Sequence, residues 1–219
     1  MARDRMNTDP GIVCFQHCGL GKMFCLGLPD SCPLCGALLT NAHFTLLPFR
    51  VPYPFVRATQ HPCSIVIRPS TGDFLNDYPS CKDLHIAVTS ANGQVVEFDS
   101  AGLQQGRTDM WQQCLVVKGA SRPWTEHWDR TLQEVSLQDC WTKQRYQEDN
   151  FNCYSFVLEF LQRLNYSSLS ESARSRTQFC QDYIVPRTTA AGKYISLYRR
   201  LQTAGFYIHS SCSSTALVR

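Results

Sequence analysis

The sequence lacks the long apolar segments that would place a chain in or across a membrane. It has no run of about eighteen apolar residues, so it predicts no membrane span. The segment that begins at Met1 is polar and charged, without the apolar stretch of a secretory leader, so we expect no secretory signal. We therefore expect an intracellular protein, cytoplasmic or nuclear, in a reducing compartment.

The sequence also lacks clustered basic charge and internal repeats. It has 21 Lys and Arg against 18 Asp and Glu, and these basic residues are scattered along the chain. A nucleic-acid interface normally shows a basic patch or stripe, so we expect no nucleic-acid partner. The 219 residues, 43% of them hydrophobic, are enough for one medium domain, alone or with a small appendage.

Cysteine, in contrast, is abundant, with 12 in the chain. In a reducing compartment cysteines are more often metal ligands, nucleophiles or small buried residues than disulfide partners. Two positions stand out from the rest. One is a C-x2-C pair in the cysteine-rich N-terminal segment, and the other is Cys153, which opens a patterned helix.

The order of predicted elements indicates an α+β fold in which a small antiparallel sheet packs on helices. Three prolines in residues 47–55 predict an extended connector or an edge segment. Asn92-Gly93 predicts the turn of a β-hairpin over residues 84–98. We predict a cysteine-rich head over residues 1–45, an α+β domain over 46–210 and a flexible tail over 211–219.

Cys153 is the strongest candidate nucleophile. Apolar residues follow it at helical spacing, which predicts an amphipathic helix over residues 153–164 with the cysteine in the first turn. Unpaired backbone N–H groups and the positive end of the helix dipole favour the thiolate there. The alternative is structural, because free cysteine is among the most buried residue types.

A thiol nucleophile needs a base and a group that orients it. His85 opens the first strand of the predicted hairpin, and Glu97 lies on the partner strand. A helix N-terminus packed against a sheet can bring a first-turn cysteine over strand residues. The sequence therefore predicts Cys153, His85 and Glu97 as catalytic candidates, and a buried structural histidine is the alternative for His85.

These features resemble the circularly permuted NlpC/P60 papain-like proteins, which include the lecithin retinol acyltransferase-like enzymes and the PPPDE thiol peptidases. A strand-opening His precedes an Asn-Cys pair that starts a helix, as Asn152-Cys153 does here. The resemblance implies His85 as base, Cys153 as nucleophile and Glu97 as third member. Glu97 stands where acyltransferase-like members carry a second histidine.

Over nearly the whole chain the sequence also resembles the makorin-2 opposite-strand protein family. The resemblance is carried by Asp83-Leu84-His85, Asn152-Cys153-Tyr154-Ser155 and Tyr183-Ile184-Val185-Pro186-Arg187, among other segments. That family implies no established activity.

The N-terminal head predicts a structural zinc site of the zinc-ribbon type. In Cys32-Pro33-Leu34-Cys35-Gly36 a tight turn can direct two thiolates to one metal, and the glycine permits that turn. Tetrahedral zinc needs four donors, and a segment this short would depend on the metal for its folding energy. The predicted ligands are Cys14, Cys18, Cys32 and Cys35, with His17 or Cys25 as alternatives.

Two functional hypotheses follow. The primary one is a non-catalytic adaptor or degenerate thiol hydrolase, in which a zinc-stabilised head and a papain-like core bind a protein partner. The alternative is an active cysteine hydrolase or acyl-transfer enzyme that attacks a thioester, amide or isopeptide carbonyl through Cys153 and His85. The sequence thus leaves open whether the protein is an enzyme.

Overall fold

The computed structural model describes residues 8–19, 21–78, 83–121 and 124–210, which fall into two compact units. One unit contains the described residues between 54 and 192, and the other contains residues 8–53 and 193–210. The predicted α+β class is confirmed, since antiparallel sheets and helices both occur. The predicted division into head and core stays a prediction, and the predicted tail over 211–219 lies outside the described residues.

The elements are numbered in chain order. The strands are β1 (Ile12–Gln16), β2 (Gly21–Leu26), β3 (Leu46–Arg50), β4 (Ser64–Pro69), β5 (Leu84–Thr89), β6 (Val95–Asp99), β7 (Gly102–Gln105), β8 (Leu115–Gly119) and β9 (Phe206–Ser210). The α-helices are α1 (Thr125–Ser136), α2 (Cys153–Leu164), α3 (Ser167–Ser172), α4 (Arg176–Phe179) and α5 (Val185–Ala204). Among the described residues, no helix is both long and apolar enough to cross a bilayer.

The unit over 54–192 is built on a five-stranded antiparallel sheet in the order β7-β6-β5-β4-β8. Its strands β4 and β5 are buried along nearly their whole length, in keeping with their mostly apolar sequences. Helix α2 packs against both α1 and the sheet, and the rings of Trp128 and Phe160 meet edge to face with centroids 4.9 Å apart.

The predicted hairpin is confirmed as strands β5 and β6, which join through the turn at Asn92-Gly93. Gly93 has φ +80, and a Cβ there would collide with the carbonyl oxygen of Thr59. The turn therefore requires glycine both for its backbone angle and for the space beside it. The hairpin matters for function because it positions His85 and Glu97.

The unit over 8–53 and 193–210 contains a four-stranded antiparallel sheet in the order β3-β1-β2-β9. The proline-rich segment contributes β3 at one edge, in agreement with the predicted edge segment. The closing strand β9 forms the other edge by pairing with β2, for example Lys22 with His209. Its core on one face contains Phe15, Met23, Cys25, Cys32 and Leu39.

Candidate functional site

Helix α2 begins at Cys153, as the apolar spacing predicts, and its start is fixed by a capping box. The Tyr154 N–H donates to Asn152 Oδ1 at 3.0 Å, and the Asn152 N–H donates to Ser155 Oγ at 3.1 Å. A cap of this kind contributes about 1 kcal/mol to helix stability. The cap therefore fixes the backbone of Cys153 at the helix N-terminus, which is the positive end of the helix dipole.

His85 connects Cys153 to Glu97. Its Nε2 lies 2.8 Å from Glu97 Oε2, and the Cys153 side chain lies near enough to raise the pKa of the imidazole. Since Nε2 faces Glu97, Nδ1 is the nitrogen left for the thiol. The structure therefore brings all three predicted catalytic residues together.

The electrostatics of the three residues are coupled. Burial alone would lower the pKa of His85, but the hydrogen bonds to Cys153 and Glu97 outweigh it and raise the pKa to about 9. Burial alone would raise the pKa of Glu97, but the hydrogen bond and charge of His85 outweigh it and lower the pKa. These directions favour an imidazolium that is flanked by a carboxylate.

Arg68 and Trp111 complete the surroundings of Glu97, and the sequence analysis missed both. Arg68 lies directly opposite His85 on the neighbouring strand, and its Nη2 is 3.8 Å from Glu97 Oε2. Its guanidinium carbon sits 5.1 Å from the centroid of the Trp111 ring. The signal for Arg68 was present in the sequence, since an arginine interrupts the apolar strand Ser64–Pro69 and a charge in such a strand needs a partner.

Three buried polar atoms at this position have no hydrogen-bond partner among the described residues. They are Arg68 Nε, Trp111 Nε1 and Glu97 Oε1. The Trp111 indole lies near enough to Glu97 to lower its pKa, but outside the geometry of a formed hydrogen bond. Buried polar groups are normally paired. Three unpaired polar atoms in one place are therefore unusual, and they indicate that these residues do more than pack.

The thiol and the imidazole are nearly enclosed. Cys153 is 5% exposed, His85 is 6% exposed and Glu97 is 1% exposed. Tyr146 lies half-buried near the thiol, and its pKa is raised by its burial first and then by the negative charge that Cys153 would carry. Enclosure of this degree strengthens each electrostatic interaction inside the site.

A second cluster of reactive side chains lies in the unit over 8–53 and 193–210. His17, Cys18, Cys32 and Cys35 each offer one ligand atom, and these atoms lie within 4.8 Å of one another. Cys18 Sγ is 3.6 Å from Cys32 Sγ, and Cys35 Sγ is 3.5 Å from His17 Nδ1. The predicted C-x2-C pair and Cys18 therefore come together, and His17, the predicted alternative, is the fourth member.

The separations fit a tetrahedral metal. With metal–sulfur and metal–nitrogen bonds of about 2.3 and 2.0 Å, tetrahedral angles place two sulfurs about 3.8 Å apart and a sulfur and a nitrogen about 3.5 Å apart. The Cys18–Cys32 and Cys35–His17 separations lie close to these values. The turn that carries Cys32 and Cys35 is closed by the Gly36 N–H, which donates to the Cys32 carbonyl at 2.8 Å, with Gly36 at φ +72.

The lowered pKa of Cys32 favours a thiolate ligand in this cluster. Burial opposes ionisation of Cys32, but backbone N–H groups of Cys35 and Leu34 donate to its sulfur and, with His17 and Cys18, lower its pKa to about 6. Hydrogen bonds to Cys35 and Cys32 raise the pKa of Cys18 to about 12. One thiol thus holds a proton that a bound cation would displace.

Cys14 and Cys25 are not part of this group, although the sequence analysis named Cys14 as a ligand and Cys25 as an alternative. Side chains alternate along β1, so Cys14 points to the face opposite Phe15, and Phe15 belongs to the core that contains Cys32. Cys25 lies in that core on β2, where burial raises its pKa to about 11. Strand alternation is the physical reason that His17 and not Cys14 joins the cluster.

A family profile described as DUF4796 C-terminal matches residues 48–201, and one described as DUF4796 N-terminal matches residues 10–39. MKRN2 opposite strand protein of Homo sapiens is 31% identical over 202 residues, which cover 90% of this chain and 88% of the human protein. Its name states no reaction or ligand. No solved structure gives a significant match.

Proposed function

This chain belongs to the DUF4796 family, and we propose that it is a cysteine-dependent acyl hydrolase or acyl-transfer enzyme. Cys153 would be the nucleophile, His85 the general base and acid, and Glu97 the group that orients the imidazole. The observation that carries the proposal is the buried chain of contacts from Cys153 through His85 to Glu97. A buried histidine with a thiol on one side and a carboxylate on the other has the neighbours that a cysteine hydrolase requires.

The reaction that fits these residues is nucleophilic acyl substitution. The Cys153 thiolate attacks the carbonyl carbon of an ester, thioester or amide, so a C–S bond forms and the carbonyl π electrons move to oxygen. When the tetrahedral species collapses, the bond to the leaving group breaks, and the His85 imidazolium gives that group its proton. Neutral His85 then takes a proton from water or an acyl acceptor, which attacks the thioester and releases the thiolate.

The helix N-terminus supplies the remaining requirement, a donor for the oxyanion. The N–H groups of Asn152 and Tyr154 are occupied by the capping box. The backbone N–H of Cys153 itself lies between them at the positive end of the dipole, and we assign it the role of oxyanion donor. The capping box thus selects which backbone group is left for the substrate.

The arrangement also supports a permuted papain-like relationship for the unit over 54–192. A histidine on a strand comes before a cysteine at a helix N-terminus, and that helix packs on the antiparallel sheet that carries the histidine. This relationship is inferred from the order and position of Cys153 and His85 alone.

For the other unit we propose a structural zinc ion held by His17, Cys18, Cys32 and Cys35. Three sulfurs and one imidazole nitrogen form a donor set that suits Zn²⁺. The ion would supply folding energy to the loops around the cluster, and no catalytic step involves it. The zinc-ribbon-like head expected from the sequence remains part of this proposal.

The adaptor hypothesis has one observation in its favour, the enclosure of the thiol. Because Cys153 is only 5% exposed, a substrate would have to reach an enclosed thiol, whereas a structural thiol needs no access to solvent. Exposed Leu34 and Leu38 beside the metal cluster would suit a protein partner in that case. The two functions differ in whether acyl groups pass through Cys153.

An acyl turnover assay separates them. We expect p-nitrophenyl acetate to release more than one equivalent of p-nitrophenolate per chain, with the acetyl group found transiently on Cys153 by peptide mass spectrometry. Cys153→Ala should abolish the turnover, and Cys140→Ala, which removes another partly buried thiol, should leave it unchanged. Acetylation spread over several cysteines without turnover would favour the adaptor.

A further inference from the structure

Three side chains of the site meet around one position beside His85. Arg68 Nη2 lies 3.8 Å from Glu97 Oε2, and the Arg68 guanidinium carbon lies 5.1 Å from the centroid of the Trp111 ring. The ring centroids of Trp111 and His85 are 5.8 Å apart. Within the described parts of the chain, Arg68 Nε, Trp111 Nε1 and Glu97 Oε1 have no hydrogen-bond partner. All three atoms are buried, so bulk solvent does not satisfy them either.

Neighbouring contacts hold Arg68 and Trp111 where they are. Arg68 Nη1 donates to the carbonyl oxygens of Pro69 at 3.0 Å and Ser70 at 3.4 Å, which fixes the guanidinium beside its own strand. The Trp111 ring belongs to a buried core cluster that also contains Val66. A shift of either side chain to make a direct bond would disturb these contacts. The unpaired atoms therefore require a further group that lies between them.

The chemistry of the three atoms selects a small neutral ligand. Arg68 Nε and Trp111 Nε1 each have a hydrogen to donate, whereas Glu97 Oε1 of the carboxylate can only accept. The carboxylate would repel an anion, and two N–H groups cannot ligate a metal cation. A water molecule can accept from both N–H groups and donate to the carboxylate oxygen. Three hydrogen bonds are about the usual number for a buried water.

We propose that one buried water molecule bridges Arg68 Nε, Trp111 Nε1 and Glu97 Oε1. Because Glu97 Oε2 lies 2.8 Å from His85 Nε2, the water gives the second carboxylate oxygen a partner as well. A carboxylate that is bonded through both oxygens keeps its orientation toward the imidazole. The water also removes the cost of leaving three buried polar atoms unpaired. This site does not depend on the proposed acyl chemistry.

A high-resolution crystal structure of the full-length protein tests the water site directly. We expect the oxygen of one ordered water within about 3.2 Å of all three polar atoms. A Trp111 indole that donates directly to Glu97 Oε1, with no water at this position, would overturn the proposal. A wild type that holds the water but turns over no acyl ester would contradict the proposed function and leave the water site intact.

Water-selective NMR of the same protein gives an independent measurement with two internal controls. Trp128 Nε1 donates to the Thr89 carbonyl at 2.9 Å, and Trp141 Nε1 donates to the Val135 carbonyl at 2.8 Å, so neither indole needs a water. We expect a direct rotating-frame Overhauser cross peak to water at the indole proton of Trp111 and none at the two control indoles. Its absence at all three would overturn the proposal.

Discussion

We expect the His85→Gln variant to lower the rate of Cys153 acylation by at least about 100-fold, because general acid–base catalysis contributes about 10²- to 10⁴-fold. Glutamine keeps an N–H donor for Glu97 but cannot take or return a proton. It therefore removes the base while leaving the buried carboxylate a partner, which alanine would not. The measurement is the rate of p-nitrophenolate release at substrate saturation, with the fold checked by circular dichroism.

His127→Ala is the matched control for this variant. His127 is exposed, and its Nε2 lies 3.0 Å from the carbonyl oxygen of Leu164 at the far end of α2. It should keep the wild-type acylation rate. A His85→Gln protein that is folded and as fast as wild type would contradict the role of His85.

We expect that replacing Cys32 or Cys35 with serine removes the proposed zinc ion and unfolds the loops around it. The wild-type protein should carry about one zinc ion per chain, and each variant should carry almost none, because a tetrahedral structural site needs all four ligands. Metal content by mass spectrometry of the purified protein measures this directly. The loss should also lower the melting temperature markedly, since metal binding supplies folding energy.

Cys14→Ala and His17→Ala distinguish the two ligand sets. The cluster geometry predicts that Cys14→Ala retains zinc and that His17→Ala loses it. Retention in His17→Ala with loss in Cys14→Ala would restore the set expected from the sequence. A wild-type protein without metal would refute the zinc proposal.

The sequence predicted the parts of the fold that depend on local patterns. The apolar spacing after Cys153 sets helix α2, and Asn92-Gly93 sets the hairpin, because helical period and turn chemistry depend on neighbouring residues. The resemblance to the makorin-2 opposite-strand protein family was confirmed as well, whereas no match supports the resemblance to the papain-like proteins.

The second sheet could not be predicted in the same way. Strand β2 pairs with β9, which follows it by more than 150 residues, as in Gly21 with Ser210. Such pairings depend on tertiary packing, for which no local signal exists. The cysteine-rich segment was therefore interpreted as a separate small head, whereas its strands share a sheet with the end of the described chain.

The metal ligands and Arg68 are two further features that could not be predicted from the sequence. Cys14 and Cys18 have the spacing of ligands, and only the alternation of β1 shows that Cys14 faces away. Arg68 lies 85 residues before Cys153, and nothing local ties the two together until β4 pairs with β5. Which charged groups face one another in a buried site becomes known only from the three-dimensional structure.

Alkylation of the wild-type protein by limiting iodoacetamide near neutral pH tests the central claim most directly. Exposure alone predicts that partly buried Cys140 and Cys180 react before Cys153, which is 5% exposed. An activated Cys153 instead reacts ahead of both, and peptide mass spectrometry measures the extent of modification at each cysteine. Cys153 modified no faster than buried Cys63 and Cys114 would contradict the account.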